Sequence, residues 1–126
     1  MKNLSEKELD LMNHLWKIKQ GYLKDILAEY PEPKPAYTTV STLVSRLIAK
    51  KHIGFAQHGR DKQYFALLKK PSYFSREFRK IMDNYFNQSP AQFASFFTEE
   101  TDLNLEQLEE LQGIVNRKIE QKTQEL

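Results

Sequence analysis

Tyr37-Thr-Thr-Val-Ser-Thr-Leu-Val-Ser-Arg-Leu-Ile-Ala-Lys-Lys51 is the segment that makes sense of its neighbours. Its apolar residues Val40, Leu43, Val44, Leu47 and Ile48 follow i, i+3, i+4, i+7, i+8 spacing, which predicts a half-buried helix. The other face carries Thr38, Ser41, Thr42, Ser45 and Ala49, with Arg46 beside it and Lys50, Lys51 and His52 at the end. Small hydroxyls stand where a solvated helix usually places Glu and Lys. Such side chains let a helix backbone approach a partner closely, and the major groove of DNA admits a helix. Hydroxyls can bond base edges or phosphates, and basic residues can neutralise phosphate. The alternative is a core helix whose exposed face happens to lack charge.

The segments on either side favour DNA. Upstream, Ser5-Glu-Lys-Glu8 reads as a capping box that opens a helix carrying Leu9, Met12, Leu15 and Trp16. Trp16 is expected as a core anchor, His14 as solvent-facing, and Gly21 as the end of the element. A shorter helix is expected over about Tyr22 to Tyr30, with Leu23, Ile26 and Leu27 inward. Pro31, Pro33 and Pro35 stop it and keep the connection extended. Three helices, the third rich in hydroxyls and starting near Thr38, describe a helix-turn-helix.

Downstream, residues 52–57 and 63–68 alternate β-formers and read as two strands. His58-Gly-Arg-Asp-Lys62 lies between them as a turn, with Gly59 available for positive φ. A hairpin there, with Arg60 and Lys62 at its tip, reads as the wing of a winged helix, poised for phosphate or the minor groove. An ordinary solvent-exposed hairpin is the plainer alternative. His52 and His58 either join the phosphate contacts or have no role.

From Pro71 the composition changes. Phe74, Phe78, Ile81, Met82, Tyr85 and Phe86 form a helical stripe larger than docking on so small a domain requires. Residues 87–90 break it, Gln92 to Phe97 suggest a short helix, and Glu99, Glu100 and Asp102 read as an exposed linker-like stretch. A last helix starts around Leu103 to Leu105, presents Leu105, Leu108, Leu111, Val115 and Ile119, then frays into a polar tail. Residues 71–120 are therefore expected to make a homodimer. Helices folded back on the winged domain in a monomer are the alternative. The expected division is a winged-helix DNA-binding domain at 1–70 and a helical dimerisation domain at 71–126, mainly α with a small β-wing.

Composition sets limits on this picture. The 126 residues are 40% hydrophobic and 12% aromatic, enough for a packed core. The absence of cysteine rules out a disulfide framework or thiolate metal site. Net charge is +2, but residues 1–97 carry 16 Lys and Arg against 9 Asp and Glu, and residues 98–126 carry 3 against 8. A basic module facing an anion and a separate acidic module fit that division. No apolar run approaches the ~20 residues needed to cross a bilayer and no signal-type segment opens the chain, so a cytoplasmic protein without membrane insertion is expected. No histidine spacing suggests zinc, and no phosphate loop or nucleophile arrangement suggests an enzyme; no cofactor is expected.

In order and spacing, these segments resemble the penicillinase-repressor family of bacterial transcriptional regulators (BlaI/MecI/CopY). The resemblance rests on Glu8-Leu-Asp-Leu-Met-Asn-His-Leu-Trp16, Thr39-Val-Ser-Thr-Leu-Val-Ser-Arg-Leu47, Lys50-Lys51, Tyr64-Phe65 and Leu108-Glu-Glu-Leu111, across about residues 4–120. It implies a dimeric repressor that binds a pseudo-palindromic operator and controls a resistance operon of the β-lactam or metal type. Carried over by position, Thr38, Thr39, Ser41, Thr42 and Arg46 face the groove. Ser45, Lys50, Lys51, His58, Arg60 and Lys62 complete the expected DNA-binding set. Ser41 stands where the β-lactam repressors have arginine. Either operator identity changes, since arginine is the commonest guanine reader, or affinity does, if that arginine meets phosphate.

In the β-lactam branch a membrane sensor-protease system triggers repressor cleavage at an Asn-Phe bond before the last helix. The aligned pair here is Phe96-Phe97, which keeps the Phe and loses the Asn. It is a candidate cleavage site, or simply a pair of core or interface phenylalanines. The copper branch senses metal through C-terminal cysteines, which this chain lacks. Release by a small ligand among the aromatics of residues 73–97, and a winged helix that binds protein rather than DNA, are the rival readings.

Overall fold

The computed structural model describes residues 3–126. In chain order the elements are α1 (Glu6–Ile18), β1 (Gln20–Gly21), α2 (Leu23–Ala28), α3 (Tyr37–Ala49), β2 (Ile53–His58), β3 (Asp61–Ala66), α4 (Lys70–Tyr85), α5 (Pro90–Glu100) and α6 (Leu105–Gln124). Two compact units divide the chain within α4, the first ending at Glu77 and the second running from Phe78 to Leu126.

The first unit is built on α1 and α3. Ser5 caps α1 by accepting from the Glu8 amide, and the Glu8 carboxylate accepts in return from the Ser5 amide. The buried stripe of α1 is Glu8, Leu11, Met12 and Leu15, rotated from the expected Leu9–Met12–Leu15–Trp16 set. The shift has a cause at each end. Glu8 is satisfied by partners and so can be interior, while Trp16, at the edge of the core, donates from its indole nitrogen to the Leu68 carbonyl at 2.8 Å. Leu11, Met12, Leu15, Ile26, Val40, Val44, Leu47 and Ile53 make one packed core. Removing a side chain such as Leu47 from it should cost about 2–5 kcal/mol.

His14 is not solvent-facing as expected. Its side chain is only 16% exposed, and its ring lies 4.3 Å from that of Tyr30. Tyr30, following α2, folds onto α1 and covers it; burial, then the neighbouring Asp10 carboxylate, push the phenol up to about 12.

Gly21 does not end the first helix. Helix α1 stops at Ile18 with Lys19 at positive φ, and Gly21 belongs to a third strand that pairs with β3. A β-carbon at Gly21 would fall 2.9 Å from Ile18 Cδ1 and 3.0 Å from Asp25 Cβ, so the close approach requires glycine. The sheet order is β1-β3-β2, all antiparallel. Helix α2 is only Leu23–Ala28, and its last carbonyls, which the helix itself cannot satisfy, accept from Lys34. That ammonium lies 3.4, 3.2 and 2.6 Å from the oxygens of Leu27, Ala28 and Tyr30.

In the second unit α4 continues into α5, which Ser89 caps with Pro90 at its first turn, and α6, which Asn104 caps in a capping box with Gln107. Helix α5 runs to Glu100, so Glu99 and Glu100 are helical rather than linker, and α6 stays helical to Gln124 instead of fraying after Ile119. Phe93 is the hub: its ring lies 5.3 Å from Phe78, 5.5 Å from Phe86 and 5.8 Å, stacked, from Phe97. No residue from Phe78 onward is fully buried.

Candidate nucleic-acid interface

Helix α3 buries Val40, Leu43, Val44 and Leu47. With 3.6 residues per turn, that choice dictates the rest. Thr38, Thr42 and Ser45 form an exposed crest opposite the core, with Tyr37 and Ser41 on one flank and Thr39 and Arg46 on the other. The Thr42 hydroxyl donates to the Thr38 carbonyl at 2.9 Å, and as an acceptor it keeps its lone pairs outward. A hollow of about 340 Å³ borders one flank, lined by Lys7, Thr38, Thr39, Thr42, Leu43 and Arg46. A larger one, about 640 Å³, separates the other flank from the wing and is lined by residues that include Tyr22, Lys24, Tyr37, Ser41, Arg60 and Lys62. The helix thus stands as a ridge between two clefts, the relief needed for a helix to enter a groove with duplex walls on both sides.

The wing is tighter than its sequence suggests. Strands β2 and β3 pair down to His58↔Asp61, leaving Gly59 and Arg60 as a two-residue turn. Gly59 sits at φ +62° in the first central position, where such turns favour glycine. The Gln57 amide donates to the Gly59 carbonyl at 3.0 Å and holds the loop. Arg60 is therefore at the tip, whereas Lys62 has moved into β3, with its ammonium 4.5 Å from the centre of the Phe55 ring. His58 is exposed at the end of β2, its Nε2 3.2 Å from Gln63 Oε1.

Two of the basic residues after α3 are placed differently from the expectation. Lys50 does not point outward: its Nζ lies 2.9 and 2.7 Å from the two carboxylate oxygens of Glu8, which is 1% exposed. Its charge is spent inside the module. Burial works to raise the Glu8 pKa, but Lys50 and the Ser5 amide outweigh it and hold the carboxyl below its ordinary value. His52 is buried, not a phosphate contact. Its carbonyl accepts from the amides of Leu67 and Leu68, and its amide donates to the Leu47 carbonyl. Burial, then Lys50 and, more weakly, Arg76, lower its pKa against the opposing pull of Glu8. Lys51, by contrast, is exposed at φ +65°.

Of the expected DNA set, α3 and the wing thus present Thr38, Thr39, Thr42, Ser45, Arg46, Lys51, His58, Arg60 and Lys62 to solvent, with Ser41 half-buried in the cleft wall. Tyr22, Lys24, Tyr37 and Lys7 line the clefts but were not singled out by periodicity. They belong to other elements or to a helix start, and only the packing of α1, α2 and the wing around α3 gathers them. Among the expected interface residues, Phe74, Ile81, Tyr85, Leu108 and Val115 are exposed, while Phe78, Met82, Phe86 and Leu111 are half-buried. Phe96 is exposed and Phe97 half-buried, and both lie inside α5. Among the described residues, no group of three or more His, Asp or Glu is gathered as a metal site, and no helix is long and apolar enough to cross a membrane.

A helix-turn-helix whose third helix exposes hydroxyls and cations, followed by a basic-tipped hairpin, defines a winged-helix regulator that binds DNA. The chain belongs to the penicillinase repressor family, whose model matches residues 4–117, and is accordingly a DNA-binding transcriptional repressor. The methicillin resistance regulatory protein MecI of Staphylococcus aureus strain N315 is 25% identical over 116 residues, covering 91% of this chain and 94% of that one. MecI of Mammaliicoccus sciuri is 24% identical over the same span. Among solved structures, the CopR repressor matches with a TM-score of 0.45 and 30% identity, over 54% of this chain and 100% of that one. BpsR of Bordetella bronchiseptica matches with a TM-score of 0.47 and 16% identity, over 94% of this chain and 77% of that one.

Proposed function

We propose that this repressor acts as a homodimer, each protomer placing α3 and the wing on one half of a pseudo-palindromic operator, and that it controls a resistance operon of the β-lactam type. The DNA-binding domain of the proposal is residues 1–70 and the dimerisation domain residues 71–126. The carrying observation is that the second unit has no fully buried residue while Ile81, Tyr85, Phe96, Leu105, Leu108, Ile114, Val115 and Ile119 all stand exposed. Helices with so much apolar surface and no core of their own are stabilised by covering that surface, and a two-fold partner presents the same faces in return. Two-fold symmetry in turn asks for half-sites about 34 Å, or a multiple of that, apart. The methicillin resistance role of MecI, a relative of this chain, supports a resistance operon.

Release by proteolysis at Phe96-Phe97 is part of the proposal. The bond lies within α5, where the Phe97 carbonyl accepts from the Thr101 amide, so a protease needs the end of α5 to unwind first. A sensor-protease that does so would cut inside the aromatic cluster, leaving Phe96 on one fragment and Phe97, which stacks on Phe93, with α6 on the other. A second reading has its own support: Ile81, Tyr85, Phe86, Phe93, Phe96, Phe97 and Thr101 line an apolar hollow of about 490 Å³, a size that suits a small ligand.

Selection of bound sequences from a random DNA pool, combined with sedimentation, tests the reading. Enrichment of a two-fold-symmetric site by a dimer is expected. The Ile81→Glu/Val115→Glu double variant should sediment as a monomer and lose affinity for the symmetric site. A dimer that survives this double change, or an asymmetric site, would sink the proposal.

A further inference from the structure

Tyr37 has no packing role that explains it. It is 58% exposed, the most exposed aromatic side chain between α1 and β3, and it is the first residue of α3. Among the described residues, no hydrogen bond engages its hydroxyl. An aromatic ring left half in water gives up much of the gain that burial would bring. One turn later Ser41 stands on the same flank, and the two line the cleft between α3 and the wing together with Tyr22, Lys24, Arg60 and Lys62.

The chemistry of that cleft is divided. Lys24, Arg60 and Lys62 attract phosphate and carry no sequence information of their own. Asp61, on the same wall, makes the cleft mixed rather than uniformly cationic, which fits base edges presenting donors as well as acceptors. Tyr37 brings an uncharged group with one donor, acceptor lone pairs and an apolar ring face. The hydroxyl can donate to guanine O6 or N7 or accept from adenine N6 or cytosine N4, and the ring can pack on a thymine methyl. In helix-turn-helix proteins the first residues of the recognition helix are the ones that reach base edges. Tyr37 lines the same cleft as the wing residues Arg60, Lys62 and Tyr64, which places it on the wing side of the helix.

We propose that Tyr37 is a specificity-determining residue of this repressor, reading one base pair of each half-site from the wing flank of α3. The inference rests on the reading of α3 as the groove-entering helix.

The test compares wild type, Tyr37→Ala, Tyr37→Phe and Arg60→Ala for binding to the selected site and to each of its single-base variants, at two salt concentrations. Tyr37→Ala is expected to flatten the preference at one base-pair position per half-site by roughly fivefold or more, while the dependence of affinity on salt stays as in wild type. Arg60→Ala is expected to do the reverse, weakening all sequences alike and lowering the salt slope. Tyr37→Phe keeps the ring and so guards against a folding artefact. Loss of preference in Phe assigns the reading to the hydroxyl, and retention assigns it to ring packing on thymine; either supports the proposal. Unchanged preferences in Tyr37→Ala, or a loss equal for every sequence, would overturn it. Absence of any sequence preference in wild type would instead overturn the reading of α3 beneath it.

Discussion

Glu8 and Lys50, 42 residues apart, are joined by two hydrogen bonds of 2.9 and 2.7 Å that tie the first turn of α1 to the end of α3. Glu8 serves twice, as the reciprocal member of the α1 capping box and as the buried anchor for the end of α3. Helix α3, the proposed DNA-reading element, is therefore fixed at its far end by an ion pair rather than by apolar contact alone.

Removing one partner should hurt more than removing both. Lys50→Ala strands the Glu8 carboxylate and should cost about 3 kcal/mol, the low end for a broken buried pair because Lys50 keeps some contact with water. Glu8→Leu/Lys50→Leu should lie within about 1 kcal/mol of wild type. Urea unfolding of the three proteins checks this; equal losses for the single and double variants would mean that the pair contributes nothing as a pair.

Stability should fall with acid in two stages. Folding lowers the His52 pKa from 6.5, so its contribution is complete above 6.5 and is lost as pH falls through the lower folded value. Glu8, lowered from 4.5, adds a second loss below 4.5. Lys50, Glu8 and Arg76 are the charged groups acting on His52, and the stages are coupled through Glu8 because protonating it removes the one group that favours the imidazolium. Thermal midpoints followed from pH of about 7.5 down to about 3 should show both stages, and His52→Leu should remove the upper one. An undiminished upper stage in that variant would assign it to another group.

Lys51 occupies a glycine's position. Its φ of +65° follows the α3 C-cap, with its amide donating to Ile48 and that of His52 to Leu47, the pattern that usually ends on glycine. Lys51→Gly should stabilise the fold by up to about 1 kcal/mol. If the lysine also meets phosphate, the same variant should lower the salt slope of operator binding by about 0.9 per contact. Loss of stability would show that the left-handed backbone carries no strain here.

Local pattern made much of this protein legible. The α3 stripe at Val40, Leu43, Val44 and Leu47, the Ser5–Glu8 box and the glycine at the wing turn are short-range features, written within four or five residues of one another. Each appears in the fold almost as the spacing implies. The hydroxyl crest follows too, because choosing the buried face of a helix also chooses the opposite one. Tertiary packing decided what depends on distant neighbours. An exposed-looking lysine proved to be the partner of a buried glutamate, and His52 and His14 went inside because Leu67 and Leu68 and Tyr30 arrive from elsewhere in the chain. Two residues at Gln20–Gly21 became a strand only because β3 was there to pair with them. The clefts flanking α3, and with them the place of Tyr37, exist only once α1, α2 and the wing have packed around that helix. A side chain's periodicity names the face it lies on, but only the fold supplies what that face meets.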